Sequence, residues 1–156
     1  MEAFYWVLPS LLAGRPGPQV APWDLKELWA AGFRTVVSLV PVESEPIRAA
    51  GFRHLLVPLN GGLAFLPPMR QRLAQQMEPV IDFVAGEIAA GRPTLVHCRQ
   101  GNDRTGAVLA GYLIRYQGLN PEEAIRRLRE ANPRALRSLG FKQLVKRLAD
   151  FPHGNR

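Results

Sequence analysis

An α/β fold is predicted by two features of this sequence. Short runs of apolar and β-branched residues alternate along the chain with stretches whose apolar residues recur at helical spacing. The chain has 156 residues, 47% of them hydrophobic, so one domain over residues 1–156 can bury a core without disulfides. The single cysteine excludes an intrachain disulfide, and the sequence contains no internal repeat, low-complexity tract or second domain.

Turn residues and glycines delimit the elements of the first half. Two glycines and two prolines within residues 14–18 predict a turn after two short apolar runs. Gly32 and Gly51 end two short helical patterns, and a β-branched run between them is typical of a buried strand. The predicted elements are strands over residues 4–8 and 11–13, a helix over 22–31, a strand over 35–40, a helix over 45–50 and a strand over 53–59.

The second half is predicted to be mainly helical. A loop rich in glycine and proline over residues 60–68 precedes a long helix over 69–90, which Pro79 is expected to bend or split. A short strand, Thr94, Leu95 and Val96, then leads to the only cysteine. Three more helices are predicted over residues 105–117, 121–131 and 141–151, the second of them capped by Asn120.

The segment between that strand and the next helix carries the chemistry. It reads His-Cys-Arg-Gln-Gly-Asn-Asp-Arg-Thr-Gly over residues 97–106. Backbone N–H groups in such a loop, next to a helix N-terminus, can surround three phosphoryl oxygens. Gly101 permits a positive φ or the close backbone approach that this curvature requires. The planar guanidinium of Arg104 can hold two of the oxygens at once, which a lysine could not do.

Cys98 is the predicted nucleophile at the floor of this anion site. A free thiol has a pKa of about 8.5 and is only a few per cent ionised near neutral pH. The positive surroundings of the loop favour the thiolate form of Cys98. Thr105, directly after the arginine, can donate its hydroxyl to the sulfur and stabilise it as a leaving group. The segment therefore suits nucleophilic attack on phosphorus.

The pattern His-Cys-x-x-Gly-x-x-Arg-Thr-Gly resembles the phosphate loop of cysteine-dependent protein tyrosine and dual-specificity phosphatases. Leu-Ala-Gly-Arg-Pro near the start and Asn-Pro-Glu-Glu-Ala-Ile-Arg-Arg-Leu-Arg near the end are similar to atypical dual-specificity phosphatases. The resemblance implies a three-layer fold with a central, mostly parallel sheet of four to five strands flanked by helices. It also implies a phosphocysteine at Cys98, a transition state held by Arg104 and the loop amides, and His97 buried behind the nucleophile as an organiser. No metal or cofactor is implied.

Several alternatives stay open at this point. A rhodanese-like domain also places a cysteine in a short loop that ends in arginine, but such domains usually lack the Arg-Thr-Gly tail and the long helical segment that follow here. A buried structural cysteine before a glycine turn leaves the spacing of Gly101 and Arg104 unexplained. Within the phosphatase family, the expected substrate is phosphorylated tyrosine, serine or threonine in proteins. Phosphoinositides and inositol phosphates are the alternative substrates, and an idle phosphate-binding module is the alternative to catalysis.

The sequence departs from the family at the general acid. Family members usually carry an aspartate on a loop before the cysteine, and here the corresponding place is held by Asn60, which can position water or substrate but cannot give a proton. Asp103 inside the loop is the leading candidate for the acid. Its alternative role is to cap the following helix, while Glu43 and Glu45 are the other candidate acids.

Substrate contacts are expected mainly from the loop itself. Arg99 and Gln100 are predicted at the cleft rim, and Gly101 and Asn102 within the cradle, together with Asn60 on the neighbouring loop. Gln143 is a further candidate near the cleft, where it could align the hydrolytic water, or else an ordinary glutamine on a helix surface.

The net charge of +7 suits anionic partners such as a phosphorylated protein, a small phosphomonoester or a free oxyanion. Many of the cations lie in the last third, where they form either a solvated helix face or a patch facing substrate or membrane. Nucleic acid is not expected, because the cations show no recognition motif and no interleaved aromatics. No apolar stretch is long enough to span a membrane, and the apolar opening lacks the basic start of a signal peptide. A working thiol then predicts the cytoplasm.

Overall fold

The computed structural model describes residues 3–150, and its centre is a five-stranded sheet. The strand order is β1-β2-β5-β3-β4, in which β1 runs antiparallel to β2 and every other pair is parallel. The strands are β1 (Tyr5–Leu8), β2 (Leu12–Arg15), β3 (Thr35–Ser38), β4 (Arg53–Leu56) and β5 (Thr94–His97). The prediction of a mostly parallel sheet is confirmed.

Helices cover both faces of this sheet, which confirms the three-layer architecture. On one face α1 and α2 bury Leu28 and Ile47 against Val36 and Leu95. The other four helices pack on the opposite face around a larger apolar core. The helices are α1 (Leu25–Ala30), α2 (Ser44–Ala49), α3 (Pro67–Ala89), α4 (Arg104–Gln117), α5 (Pro121–Ala131) and α6 (Phe141–Ala149). None of the helices within residues 3–150 has the length and hydropathy to cross a membrane.

The predicted turn at residues 14–18 is wrong at its first two positions. Gly14 and Arg15 belong to β2, where they pair with Val96 and His97 of the central strand. Glycine and a charged residue indicate a turn when the local sequence is considered alone. Pairing with a buried neighbouring strand overrides that preference.

Pro79 does not split the long helix. Helix α3 runs without interruption over 23 residues with Pro79 in its interior. Pro79 lies on the exposed side, whereas its neighbours Met77, Val80 and Ile81 are buried in the core. Burial of that face compensates the one hydrogen bond that a proline removes. The end of the predicted last helix, at residue 151, lies outside the described residues.

Parallel strands bring three buried polar side chains to one edge of the sheet. Arg15 and Ser38, the last residues of β2 and β3, both stand in register with His97, the last residue of β5. Helix α4 begins at Arg104, shortly after this edge. The carboxyl ends of the strands and the N-terminus of a helix therefore meet where residues 98–103 lie, the usual position of a ligand site in an α/β sheet.

Candidate active site

Gly101 allows the loop over residues 98–103 to curve tightly against strand β2. Its φ is +80°, and a Cβ placed there would lie 2.5 Å from the carbonyl carbon of Arg15 and 2.6 Å from the nitrogen of Pro16. Both reasons that the sequence offered for a glycine, a positive φ and a close backbone approach, therefore apply. Any side chain at this position would push the loop away from the sheet.

The carbonyl groups of the loop are bound to the surrounding scaffold. Four of them accept hydrogen bonds: Cys98 from His97 Nδ1 (3.0 Å), Arg99 from the Gly17 amide (2.8 Å), Gly101 from the Tyr5 hydroxyl (2.5 Å) and Asn102 from the Leu136 amide (3.2 Å). The described residues contain no cis peptide bond, and in a trans peptide the C=O and the following N–H point in opposite directions. The N–H groups of residues 99, 100, 102 and 103 are therefore directed away from the scaffold, toward the inside of the loop.

His97 is fully buried next to Cys98. It links the Cys98 carbonyl to a chain of hydrogen bonds. Its Nε2 is 2.6 Å from the Ser38 hydroxyl, which is 2.8 Å from His54 Nε2, and His54 Nδ1 is 2.6 Å from the Ser44 hydroxyl. The Cys98 carbonyl can only accept, so His97 donates from Nδ1 and its Nε2 accepts from Ser38. Ser38 then accepts from His54, whose Nδ1 accepts from Ser44. In this arrangement every hydrogen bond of the chain has one donor and one acceptor.

The surroundings keep the His97 ring neutral. Burial is the largest influence and lowers its pKa to about 4, and the nearby charges of Arg15 and His54 act in the same direction. The hydrogen bond to the Cys98 carbonyl opposes them by raising the pKa. Trp23 packs edge-on against the ring, with 4.9 Å between the ring centres. His97 is therefore buried next to Cys98 and bonded to its carbonyl, and its role as an organiser of the nucleophile stays a prediction.

Cys98 lies at a cavity of about 390 Å³. The thiol is buried, with 2% of the residue exposed. Three segments form the walls: the loop over residues 98–103 with the start of α4, the loop before α3, and the loop before α6. The lining residues are Cys98, Arg99, Gln100, Asp103 and Arg104 from the first, Asn60, Gly61, Gly62 and Phe65 from the second, and Ser138, Leu139 and Phe141 from the third.

Arg104 is held at the cavity by the loop before α3. Its Nη1 donates to the Leu59 carbonyl at 2.8 Å. A Cβ on Gly61 would lie 3.0 Å from Arg104 Cγ, so the glycine lets this loop pass close to the side chain. One side of the guanidinium is thereby fixed, which presets the direction of its other N–H groups.

Asp103 contributes the only carboxylate among the described residues that line the cavity. It stands at the N-cap position of α4, but its side chain makes no capping hydrogen bond. Its Oδ1 is buried and has no hydrogen-bond partner within residues 3–150. The capping role considered for Asp103 is therefore not realised. The other candidate acids, Glu43 and Glu45, are exposed at the start of α2 and do not line this cavity.

Asn60 lines the cavity from the loop before α3, as the sequence indicated. Its Oδ1 accepts a hydrogen bond of 3.0 Å from the Gly62 amide, which shapes a tight turn. The amide group of Asn60 can donate but carries no acidic proton. Asn60 can therefore position a water molecule or the substrate, but it cannot supply a proton.

Three residues predicted at the site do not line the cavity. The side chain of Asn102 points away from the cavity, and its Oδ1 accepts from Asn132 Nδ2 at 3.0 Å. The Thr105 hydroxyl is buried without a hydrogen-bond partner in the described part of the chain, so its donation to the Cys98 sulfur is not formed here. Gln143 is exposed on α6 and borders a different groove. The prediction that Asn102 contacts substrate inside the cradle is therefore wrong: its side chain bonds instead to Asn132, the residue that follows α5, and holds the loop from outside.

Sequence reasoning missed four residues that hold the loop or its histidine. Tyr5 and Asn132 both donate to the Gly101 carbonyl, and burial raises the pKa of the Tyr5 hydroxyl, which stays protonated as a donor. Ser38 and His54 continue the chain behind His97. Of these four residues, only Ser38 gave a signal in the sequence, as a polar residue within an apolar strand. Tyr5 and Asn132 lie 96 and 31 positions from Gly101, their partner in the loop, and His54 reaches His97 only through Ser38.

Comparison with known proteins places this geometry in a family. The model of the dual specificity phosphatase catalytic domain matches residues 26–150. Human dual specificity phosphatase 28 is 32% identical over 135 residues, which cover 86% of this chain and 71% of that protein. Phosphatidylglycerophosphate phosphatase PTPMT1 of Arabidopsis thaliana is 30% identical over 130 residues, which cover 81% of this chain and 36% of that protein.

The same similarity extends to solved structures. A crystal structure of a mouse dual specificity phosphatase complexed with zinc tungstate superposes with a TM-score of 0.76 at 26% identity. The superposition covers 96% of this chain and 87% of the mouse chain. The superposition therefore extends over nearly all of the three-layer fold described above.

Proposed function

The chain belongs to the dual specificity phosphatase family and is a cysteine-dependent phosphatase, and on this premise we propose that it hydrolyses phosphomonoesters through a phosphocysteine at Cys98. The observation that carries the proposal is the binding of four loop carbonyls to the scaffold, which turns the N–H groups of residues 99, 100, 102 and 103 away from it in a loop that shares one cavity with Cys98 and Arg104. Preorganised N–H donors stabilise charge that develops on phosphoryl oxygens in the transition state. Arg104 adds a planar cation on the same group.

In the first step the Cys98 thiolate attacks phosphorus and the bond to the leaving oxygen breaks. That oxygen needs a proton, and we assign its delivery to Asp103. The position of Asp103 supports the assignment, because it carries the only carboxylate among the described residues that line the cavity and its Oδ1 is not engaged in capping α4. Arg99, Gln100 and Asn60 are placed at the cavity walls, where they can contact the rest of the substrate.

In the second step water attacks the phosphorus of the phosphocysteine. Asp103, now a carboxylate, accepts a proton from that water, the P–S bond breaks, and the thiolate and inorganic phosphate are released. We expect the Thr105 hydroxyl to rotate toward the sulfur as this negative charge returns. Both steps balance without a metal or an oxidant.

The first candidate substrates are phosphorylated tyrosine, serine and threonine side chains of proteins. The names of the dual specificity relatives support them. A lipid phosphomonoester is the second candidate, supported by the relative named for phosphatidylglycerophosphate. A reducing compartment such as the cytoplasm suits a thiol nucleophile in either case.

The test is turnover of p-nitrophenyl phosphate by the wild type and by Cys98→Ser, with and without a chelator. We expect Cys98→Ser to lose all measurable turnover while it still binds tungstate, and the chelator to change nothing. Rapid quenching of the wild type followed by mass spectrometry should find a phosphoryl adduct on the peptide that contains Cys98. Turnover by Cys98→Ser would refute the nucleophile, and a wild type that binds tungstate without turnover would indicate an idle binding module.

A further inference from the structure

Exposed apolar side chains are concentrated around the mouth of the Cys98 cavity. Leu63, Phe65, Leu66 and Leu139 are 43%, 45%, 41% and 75% exposed, and they make up four of the eight large hydrophobic residues exposed within residues 3–150. Phe65 and Leu139 also line the cavity. We call these four residues the apolar collar.

The two loops that carry the collar lie against each other. Gly140 has a φ of +95°, and a Cβ placed there would be 2.6 Å from the Ala64 carbonyl carbon and 2.7 Å from the Phe65 nitrogen. Leu139 and Phe65 therefore stand on adjoining backbones at the same rim. The collar is therefore one continuous surface across the two loops and not two separate patches, and contiguous exposed apolar side chains at the mouth of a cavity indicate an interaction site.

The two segments that carry the collar contain cations and no carboxylate, whereas Asp103 lies on a third segment, in the lining of the cavity. No aspartate or glutamate occurs between Glu45 and Glu78 or between Glu130 and Asp150, the two segments that contain the collar. Cations flank both loops: Arg70 follows the first and donates to the carbonyls of Ala64 (3.2 Å) and Phe65 (3.3 Å), and the second is flanked by exposed Arg134, Arg137 and Lys142. The exposed Arg99 adds a further cation at the mouth itself.

Apolar side chains surrounded by cations match the surface of an anionic bilayer. Leucine and phenylalanine side chains can enter the headgroup region while arginine and lysine meet the lipid phosphates and carboxylates. A protein partner fits less well, since the residues that dominate protein interfaces are enriched in tryptophan, tyrosine and arginine and poor in leucine, which makes up three of the four collar residues. The collar contains neither aromatic type, and its two segments contain no carboxylate.

We propose that the apolar collar docks this protein on bilayers that contain anionic lipids, with the Cys98 cavity opening toward the headgroups. The docking itself is independent of catalysis. Its consequence, that a phosphomonoester on a lipid headgroup can enter the cavity from the membrane plane, rests on the phosphatase function proposed above.

The test compares a collar variant with a matched surface variant. Leu63→Asp/Leu66→Asp places charge on two collar residues that do not line the cavity. Leu11→Asp changes a leucine of similar exposure, 38%, just before β2, at the end of the parallel strands opposite to the cavity. Binding is measured by co-sedimentation with vesicles of phosphatidylcholine alone or mixed with phosphatidylserine. Turnover of p-nitrophenyl phosphate shows that each variant is folded.

We expect the wild type and Leu11→Asp to bind the mixed vesicles and not phosphatidylcholine alone. The collar variant should bind about tenfold more weakly, since two leucines leave the interface. It should keep p-nitrophenyl phosphate turnover, turn over a phosphotyrosine peptide at the wild-type rate, and hydrolyse phosphatidylinositol phosphate in mixed vesicles more slowly.

Equal vesicle binding by the collar variant and the wild type would overturn the docking, and so would a wild type that ignores anionic vesicles. A selective loss of phosphopeptide turnover in the collar variant would assign the collar to protein substrates instead. Failure of the proposed phosphatase function looks different: the wild type would bind vesicles through the collar but turn over no phosphate ester.

Discussion

The two main loops around the Cys98 cavity are held in different ways. In the loop over residues 98–103, four carbonyls bond to side chains or amides of Tyr5, Gly17, His97 and Leu136. The loop over residues 60–66 is shaped by short-range bonds, such as Gly62 to Asn60 and Leu66 to Leu63. Arg104 bonds to the Leu59 carbonyl just before this loop, Arg70 bonds to its Ala64 and Phe65 carbonyls, and Gly140 lies against the same two residues.

This difference corresponds to two requirements of a phosphatase. Stabilising a transition state requires donors in fixed positions, and displacement by about 1 Å can cost on the order of 10²-fold in rate. Admitting a substrate requires a surface that can vary without disturbing those donors. The firmly held loop over residues 98–103 is therefore suited to the chemical step that we propose. The exposed loop before α3 is suited to select which substrates enter the cavity.

A matched pair of glycine substitutions tests this contrast most severely. Gly101→Ala puts a Cβ 2.5 Å from the backbone of Arg15 at a positive φ, whereas the nearest atom to a Cβ at Gly62 is Asn60 Oδ1 at 3.4 Å. We expect Gly101→Ala to lower kcat by about 10²-fold or more and the free energy of unfolding by about 3 kcal/mol. Gly62→Ala should change kcat by about twofold at most.

The readouts are steady-state kinetics with p-nitrophenyl phosphate and urea unfolding of both variants. Similar losses in the two variants would mean that the loop before α3 is as tightly constrained as the phosphate loop, which the hydrogen bonds do not predict.

Asp103→Asn sharpens the contrast by testing which loop supplies the proton. We expect kcat for a phosphoserine peptide, whose leaving oxygen needs protonation, to fall by about 10²-fold. With p-nitrophenyl phosphate, whose leaving group is a weak base, the loss should stay below about tenfold. Asn60→Ala, at the position of the usual family acid, serves as the control and should affect both substrates alike. Equal losses on the two substrates in Asp103→Asn would remove the general-acid role.

The last prediction concerns stability alone, with no change in catalysis required, and follows from the neutral His97. Its pKa is lowered from 6.5 to about 4, so between these values the unfolded chain binds more protons than the folded one. The free energy of unfolding should fall as pH decreases from 6.5 to 4, by on the order of 3 kcal/mol. Glu87 acts in a lower window, from pH 4.5 toward 2: burial raises its pKa, but hydrogen bonds from Arg92, Arg53 and Thr35 outweigh this and lower it to about 2.

Urea unfolding at several pH values measures this dependence, with His97→Asn as the comparison. The variant should lose most of the slope between pH 6.5 and 4 and keep the loss below it. A stability that is constant or rises on acidification through the first window would contradict a neutral, buried His97.

The sequence alone was enough to predict the proposed reaction centre, because its parts are contiguous. Cys98, Gly101, Asp103 and Arg104 occupy one short loop between a strand and a helix, so their spacing already specifies an anion cradle with a nucleophile. The α/β class and most elements followed from periodicity, since each is set by local hydrophobic patterns. The absence of the usual acid could also be seen directly at Asn60.

Only the tertiary structure decided how the centre is supported and which way its side chains point. Asn102 faces Asn132 and not the cavity, Asp103 leaves the helix cap unused, and Gly14 joins a strand where local residues indicated a turn. The partners of the loop, Tyr5 and Asn132, are remote in sequence and carry no local signal. The physical reason is that hydrogen bonds and strand pairings between distant segments form only once the core brings them together, whereas a loop's chemistry is encoded in consecutive residues.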